Sequence, residues 1–287
     1  MIRLIQTYFL LGISIGYIHS QVFSDYLYVG YDAIASAGSV VASKGGESSL
    51  FHNPSGLAEV DDFQINSGYG NLYNISFLPY THFGFIIPSK YGSFGISYQS
   101  LSVSYQGNKL ISEQALGFSQ GIYFQNDRNS TLSLGYTINY LSVDQGTTFS
   151  GEALGSASTI GLDLGIQATF RKRHRIGAFM KNINNPIFSG EPLPRRLNIG
   201  IAYTPYFGVM TSCTVSRLLG SSSTQHMISL VYDVNKTLSI STGLQSNPNR
   251  LGVGFQTNIM KIKFGYGLLT HHVLPTTHQF SIGWIIG

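Results

Sequence analysis

From Phe63 to its last residues the chain keeps one rhythm: segments of about ten residues alternate apolar with small or polar side chains, and a turn closes each. Leu132, Leu134, Tyr136, Ile138 and Tyr140 alternate with Ser133, Gly135, Thr137 and Asn139. Ile160, Leu162, Leu164 and Ile166 alternate with Gly161, Asp163, Gly165 and Gln167, and Leu197, Ile199, Ile201 and Tyr203 with Asn198, Gly200 and Ala202. A strand sends successive side chains to opposite faces, so each segment has one greasy face and one Gly/Ser/Thr/Asn/Gln face. An unbroken array of such strands, with no helical pattern between them, predicts an all-β protein: a transmembrane antiparallel β-barrel.

Composition supports that reading over a soluble sandwich. Only 10% of the 287 residues are charged, against roughly 25% in an ordinary soluble domain. Mean hydropathy is nevertheless only +0.10. Beyond the N-terminus no run approaches the ~18 apolar residues a spanning helix needs. One lipid face and one watered face on the same strands accounts for both facts. The net charge of +4 is spread out, and its densest run, Arg171-Lys172-Arg173, reads as a solvated turn. Nucleic acid is therefore not an expected partner. The lone Cys213 excludes an internal disulfide framework and reads as a small buried or lipid-facing filler.

Three regions follow. Residues 1–20 read as a secretory signal peptide: Arg3 supplies the positive charge, Leu4 to Ile18 the apolar stretch, and Ser20 a small residue before a cut at Gln21. Residues 21–62 are dominated by Ala, Gly and Ser and carry too few bulky side chains to build a core of their own. They read as a plug segment packed inside something larger. Residues 63–287 form the barrel, with about fourteen strands near 63–71, 76–88, 92–104, 112–125, 130–143, 156–170, 174–183, 195–204, 208–219, 225–234, 237–245, 250–257, 260–269 and 276–286.

The connections sort by parity. Those after even strands are short, such as Asn235-Lys236 and Asn258-Ile259, whereas those after odd strands are mostly longer: 105–111, 144–155, 184–194, 220–224 and 270–275. Tight periplasmic turns and longer outside loops are the pattern of bacterial outer-membrane barrels. It predicts outer-membrane lipid as the surroundings, a Gram-negative cell as the host, and both ends of the barrel on the periplasmic side. Tyr98, Tyr123, Tyr140, Tyr203, Tyr232, Tyr266 and Trp284 supply aromatic girdles.

Candidate site residues are few. Asn53, Pro54, Ser55 and Gly56 make a tight turn that delivers the plug into the first strand: Pro54 fixes φ, Asn53 can bond its own backbone, and Gly56 accepts positive φ. By alternation Gln99, Asn139, Asp163, Gln167, Asn198, Gln245, Gln256, Lys263 and Gln279 point into the lumen. A Lys or Arg at the lipid midplane would cost roughly 2–4 kcal/mol, so Asp163 and Lys263 belong inside, hydrogen-bonded to the plug or in contact with a solute. No enzyme is predicted. Gly12-Ile13-Ser14-Ile15-Gly16 matches a nucleophile elbow but lies in the signal segment. His82 and the His226/Ser229 pair have no partner forced by spacing. His271, His272 and His278 have poor geometry for a metal, since adjacent residues of an extended chain point oppositely. No cofactor is expected.

The stretch Ala37-Gly38-Ser39-Val40-Val41-Ala42-Ser43, followed by Ser49-Leu50-Phe51-His52-Asn53-Pro54-Ser55-Gly56-Leu57-Ala58, resembles the opening of the FadL-like outer-membrane barrels. That superfamily includes long-chain fatty acid transporters and the PorV/PorQ proteins of type IX secretion. Lys181-Asn182-Ile183 with Glu191-Pro192-Leu193-Pro194-Arg195-Arg196, and Phe264-Gly265-Tyr266 with Thr277-His278-Gln279-Phe280-Ser281, are similar to the PorV/PorQ branch. The resemblance covers about residues 30–287 and implies fourteen strands around a plug. It implies, first, a role in protein secretion or surface attachment, with secretion-system components or secreted cargo as partners. The alternatives are a FadL-like channel for hydrophobic small molecules and a purely structural barrel. Ser55 stands where the family usually has Ala, and Lys44-Gly45-Gly46 where acidic residues are common.

Overall fold

The computed structural model describes residues 28–105, 108–146, 154–188 and 190–287; the segment read as a signal peptide lies outside them. The strands are β1 (Phe63–Asn71), β2 (Pro79–Ile87), β3 (Ser93–Tyr105), β4 (Asn108–Asn126), β5 (Ser130–Asp144), β6 (Ser156–Phe170), β7 (His174–Lys181), β8 (Ile187–Phe188), β9 (Glu191–Pro192), β10 (Arg196–Tyr203), β11 (Val209–Leu218), β12 (Thr224–Asp233), β13 (Leu238–Gln245), β14 (Arg250–Ile259), β15 (Ile262–Leu269) and β16 (Thr277–Ile286). Strands β8 and β9 form a small ribbon within the β7–β10 connection, and the other fourteen close an antiparallel barrel sealed by β1 against β16. Closure pairs the backbone polar groups that lipid could not satisfy.

Alternation sorts the side chains as expected. Along β11, Ser212, Thr214 and Ser216 are buried in the lumen, whereas Cys213 and Val215 are exposed on the outer face with the belt of Ile201, Ile228, Phe255 and Ile282. Asp62 and Gly287 meet at one end, where the connections are short, and Lys261 Nζ donates to the Gly287 carbonyl there at 2.8 Å. This is the turn end, and the opposite one is the loop end.

Two connections differ from expectation. The stretch 105–111 is not a long loop: β3 and β4 run on to pair Tyr105 with Asn108, a bulge between Val103 and Ser104 absorbing one residue. After β1 the chain makes a short 3₁₀ turn, Leu72–Asn74, so β2 starts at Pro79 rather than at 76.

The wall is uneven. Strand β4 has 19 residues and β5 and β6 have 15 each, whereas β7, β10, β13 and β15 have 8. Since 9–11 tilted residues cross a bilayer, β3–β6 rise beyond it at the loop end as a four-stranded fin. The faces exchange chemistry where the fin begins. On the outside, the row Tyr98–Leu116–Tyr140–Ile160 is followed by Ser100–Gln114–Ser142–Ser158 and then Ser102–Ser112–Asp144–Ser156. On the inside, polar and glycine positions give way to Leu101, Val103, Ile111, Leu141, Val143 and Ala157, with Glu113 among them. Below the bilayer surface the barrel is apolar outside; above it, the fin is apolar inside.

Candidate functional site

The lumen holds residues 28–62. Tyr28 lies at the loop end, where its hydroxyl donates to Gln245 and the Arg250 guanidinium stands 5.4 Å from its ring centre. Helix α1 (Tyr31–Ala35) lies across β13–β16, Val41 crosses to β7 and β10, and helix α2 (Glu47–Phe51) packs Leu50 on β2 and β3. A 3₁₀ turn, Pro54–Glu59, then lies along β4, β5 and β6 before the chain enters β1.

Glycines explain how so much chain fits. A Cβ at Gly135 would lie 2.3 Å from the Pro54 carbonyl carbon and the Ser55 nitrogen, and one at Gly165 2.1 Å from Asn53 Oδ1. At Gly243 it would sit 2.2 Å from the Ser36 carbonyl carbon, and at Gly177 2.3 Å from the Val41 oxygen. The inward small residues of the sequence pattern are thus seats for backbone and not the lining of an open pore.

The four turn residues sit mid-lumen. Asn53 caps the 3₁₀ turn, its Oδ1 accepting from the Ser55 amide at 3.3 Å and the Ser55 hydroxyl at 2.7 Å, while its Nδ2 donates to the Val41 carbonyl at 2.7 Å. Pro54 opens the turn and Gly56 packs on Ser49. Gly56 is not among the positive-φ glycines, so close packing rather than turn geometry requires a small residue there. The turn therefore joins two parts of the lumen segment, and Glu59, Val60 and Asp61 complete the approach to β1.

The lumen candidates separate into three settings. Asp163 is buried at the loop end of β6, accepting from Asn139 Nδ2 at 2.8 Å and the Asn182 amide at 2.7 Å. Gln167 donates to Glu59 at 3.2 Å, with Thr169 at 3.4 Å. Arg175 Nη1 contacts both Glu59 oxygens, at 2.8 and 2.7 Å, and Glu59 also accepts from the Gly45 amide at 3.2 Å. Gln256 accepts from the Tyr31 hydroxyl, and Lys263 lines the same cavity at the turn end. Asn198 stands in a separate niche at the loop end.

Several participants escaped the sequence reading. The rule that charges in spanning strands face inward also applies to Arg175, Lys181 and Arg196, which carried the same signal as Lys263. His82 is fully buried and meets Glu47 at 2.7 Å, a contact that alternation alone could not supply because Glu47 lies outside the strands. The histidines considered for metal do other work: His278 bridges the Tyr266 hydroxyl at 2.7 Å and Thr276 Oγ1 at 2.8 Å, and His271 Nδ1 accepts from the amides of Val273 and Leu274. Among the described residues no His, Cys, Asp or Glu group is arranged to hold a metal ion.

Two cavities flank the segment. One of about 440 Å³ lies at the turn end between it and β11–β16, lined by Asp32, Glu47, Asp233, Lys44, Lys263, Asn66 and several serines. The other, about 40 Å³, is a niche at the loop end among Val29, Phe51, His52, Phe179, Met227, Lys181, Arg196 and Asn198. Beside the niche Val29, Leu72, Tyr80 and Leu101 form an apolar cluster, joined by Phe51, Tyr73 and Leu78, which continues the fin's inner face into the lumen. Enclosure pushes His52 down to about 4; at the turn end, enclosure and the nearby Glu47 carboxylate push Asp32 up to about 7. Chemically this is a closed lumen with a greasy mouth on one side of the segment and a polar vestibule on the other.

No protein-family model matches the chain, and no curated protein matches it in sequence. Solved structures do. The toluene transporter TbuX of Ralstonia pickettii superimposes with a TM-score of 0.68 at 14% identity, over 93% of this chain and 100% of that one. The toluene transporter TodX of Pseudomonas putida gives 0.63 at 10% identity, over 91% and 97%. A FadL homologue of Pseudomonas aeruginosa gives 0.55 at 10% identity, over 89% and 97%. The chain has the fold of these outer-membrane β-barrels.

Proposed function

We propose that the protein is a non-enzymatic channel of the Gram-negative outer membrane that takes up hydrophobic small molecules, with residues 28–62 as its plug and gate. A shared fold does not by itself assign a function. What carries the reading is the exchange of faces at the loop end. The fin turns Leu101, Val103, Ile111, Leu141 and Val143 toward the mouth and leads through the Val29–Leu72–Tyr80 cluster to the niche at Phe51, Phe179 and Met227. Leu101 is already buried in that cluster, whereas Val103, Ile111, Leu141 and Val143 stay partly exposed above the bilayer, and a solute bound for the lumen would cover them.

The test is uptake of radiolabelled toluene and of a long-chain fatty acid by cells that lack channels for either. Cells expressing the barrel should accumulate at least one probe faster than empty cells, and Val143→Asp should abolish the gain. Uptake no faster than in empty cells, with a heat-modifiable barrel present in their outer membranes, refutes the reading.

A second reading has one favourable observation. The β8–β9 ribbon forms a sheet separate from the barrel within the stretch resembling PorV/PorQ proteins, and Ile187, paired with Pro192 at its base, is 60% exposed. That surface suits contact with a secretion component or a secreted cargo. Flat uptake together with recovery of such components on the tagged barrel would transfer the function to this reading.

A further inference from the structure

Two carboxylates of the lumen segment, Glu59 and Glu47, bond side chains of the wall, and their settings differ in charge balance. Glu59 has the Arg175 guanidinium against both its oxygens. On the opposite side α1 and α2 bring two carboxylates together. A Cβ built on Gly30 would lie 2.8 Å from Asp32 Oδ1 and 3.5 Å from the Glu47 carboxyl carbon. His82, from β2, bonds Glu47 at 2.7 Å. Asp32 accepts the Ala33 amide at 2.8 Å and is bonded by the Ser48 hydroxyl, both uncharged donors. Lys263 from β15, Asp233 from β12 and Lys44 from the segment itself line the same cavity, and Tyr31 lies beside them.

We propose that the Asp32–Glu47 pair makes the packing of the lumen segment proton-dependent: one proton held at this junction keeps α1 against α2, and its loss sets two adjacent carboxylates against each other and loosens α1 from β13–β16. Carboxylates this close do not both ionise without cost. Asp32, pushed up to about 7 by its enclosure and by Glu47, holds that proton on the acid side of neutrality. Relative to a released segment whose Asp32 titrates near its ordinary value, the packed form loses ground as pH rises through about 7 and levels off about one unit above it. His52 acts oppositely: depressed to about 4, it favours the packed form as pH rises from 4 to 6.5, so the two largely cancel there. From about pH 6.5 to 8.5 Asp32 alone would raise release about fourfold, the last deprotonation of His52 in the released segment offsets about half of that, and release should grow about twofold. As a control on the gate, this rests on the channel reading; as a packing change, it is measurable without any transport.

The experiment uses the full barrel carrying Cys213→Ser and either Ser36→Cys, buried on α1's C-terminal side, or Ser221→Cys, exposed in a loop-end turn. The rate of maleimide labelling at the first site is divided by that at the second, which removes the intrinsic thiol titration. The ratio should rise about twofold between about pH 6.5 and 8.5 with a midpoint near 7. Asp32→Asn should abolish the rise. A flat ratio in the parent protein, or the same rise with Asp32→Asn, overturns the proposal. If Asp32→Asn yields no heat-modifiable barrel, Asp32→Glu keeps a titrating carboxyl and must keep a rise; a flat profile there overturns it equally. Absent uptake with a titrating ratio would sink only the channel reading.

Discussion

Replacing Glu59 by Ala isolates how tightly the lumen is shut. In the native chain the Glu59 carboxylate meets Arg175 Nη1 at 2.7 and 2.8 Å and also accepts from the Gly45 amide, Gln167 and Thr169. Both partners are largely enclosed, with side-chain exposures of 10% for Arg175 and 14% for Glu59. Removing one member of a buried pair strands the other, which costs about 3–5 kcal/mol, far more than a surface pair would. The barrel ladders do not involve Glu59, so the loss falls on the segment: its packed-to-released ratio should drop by about two to three and a half orders of magnitude. The assay is single-channel conductance of the purified barrel in a planar bilayer, with heat-modifiable mobility checking that the wall is intact. Glu59→Ala should show frequent large openings absent from the parent. Glu59→Ala with Arg175→Met removes the stranded cation as well and should restore most of the closure. An intact Glu59→Ala barrel that stays as silent as the parent would refute the claim that this pair holds the segment.

Gly135→Val should open the lumen by another route, because its Cβ would meet the backbone at Pro54 and Ser55 at 2.3 Å; overpacking costs about 1–3 kcal/mol, and conductance should rise without loss of the barrel band. Asn182 has φ 56°, its amide bonds Asp163 and its Nδ2 donates to the Pro194 carbonyl at 3.0 Å. Asn182→Ala should therefore cost about 1–3 kcal/mol and show as protease cleavage within 183–195 that the parent resists. His52, pushed down to about 4 by its enclosure beside the Val29 carbonyl, refuses a proton that the released segment accepts below about 6.5. On its own this weakens packing by at most about 3 kcal/mol as pH falls from 6.5 toward 4, nearly cancelling the opposite contribution of Asp32, so His52→Gln should turn a nearly flat conductance–pH profile over that range into one in which openings become rarer as pH falls.

How much of this was legible in sequence depends on the distance over which each cause acts. Strand alternation is local, so the number of strands and the inward positions of Gln167, Asn198 and Lys263 could be read directly from residues such as Leu132–Tyr140. The start of β4 at Asn108, ahead of the expected 112, was hidden because Asn108 and Lys109 read as loop residues; they pair with Tyr105 and Ser104 in a fin that has left the lipid. Partnerships inside the lumen were not legible at all. Glu59 and Arg175 lie 116 residues apart in the chain, and only the path of the segment brings them together. Asn53 and Pro54 did show their turn, but not that Gly135 and Gly165 behind them are flat so as to seat it.

The seam between β1 and β16 bears on how such an object can be assembled. The segment that fills the ring is covalently continuous with β1, and β1 closes the ring by pairing with the strand farthest from it in the chain. Until that pairing forms, the wall is an open curved sheet whose glycine seats are accessible from the side. The segment can be laid into them and then wrapped, so no chain end needs to be drawn through a finished cylinder. Closing β1 on β16 carries the largest loop-closure cost in the molecule, and contacts the segment has already made to β2–β15 shorten the effective loop that closure must span. On this topology the filling acts as a mandrel for the barrel.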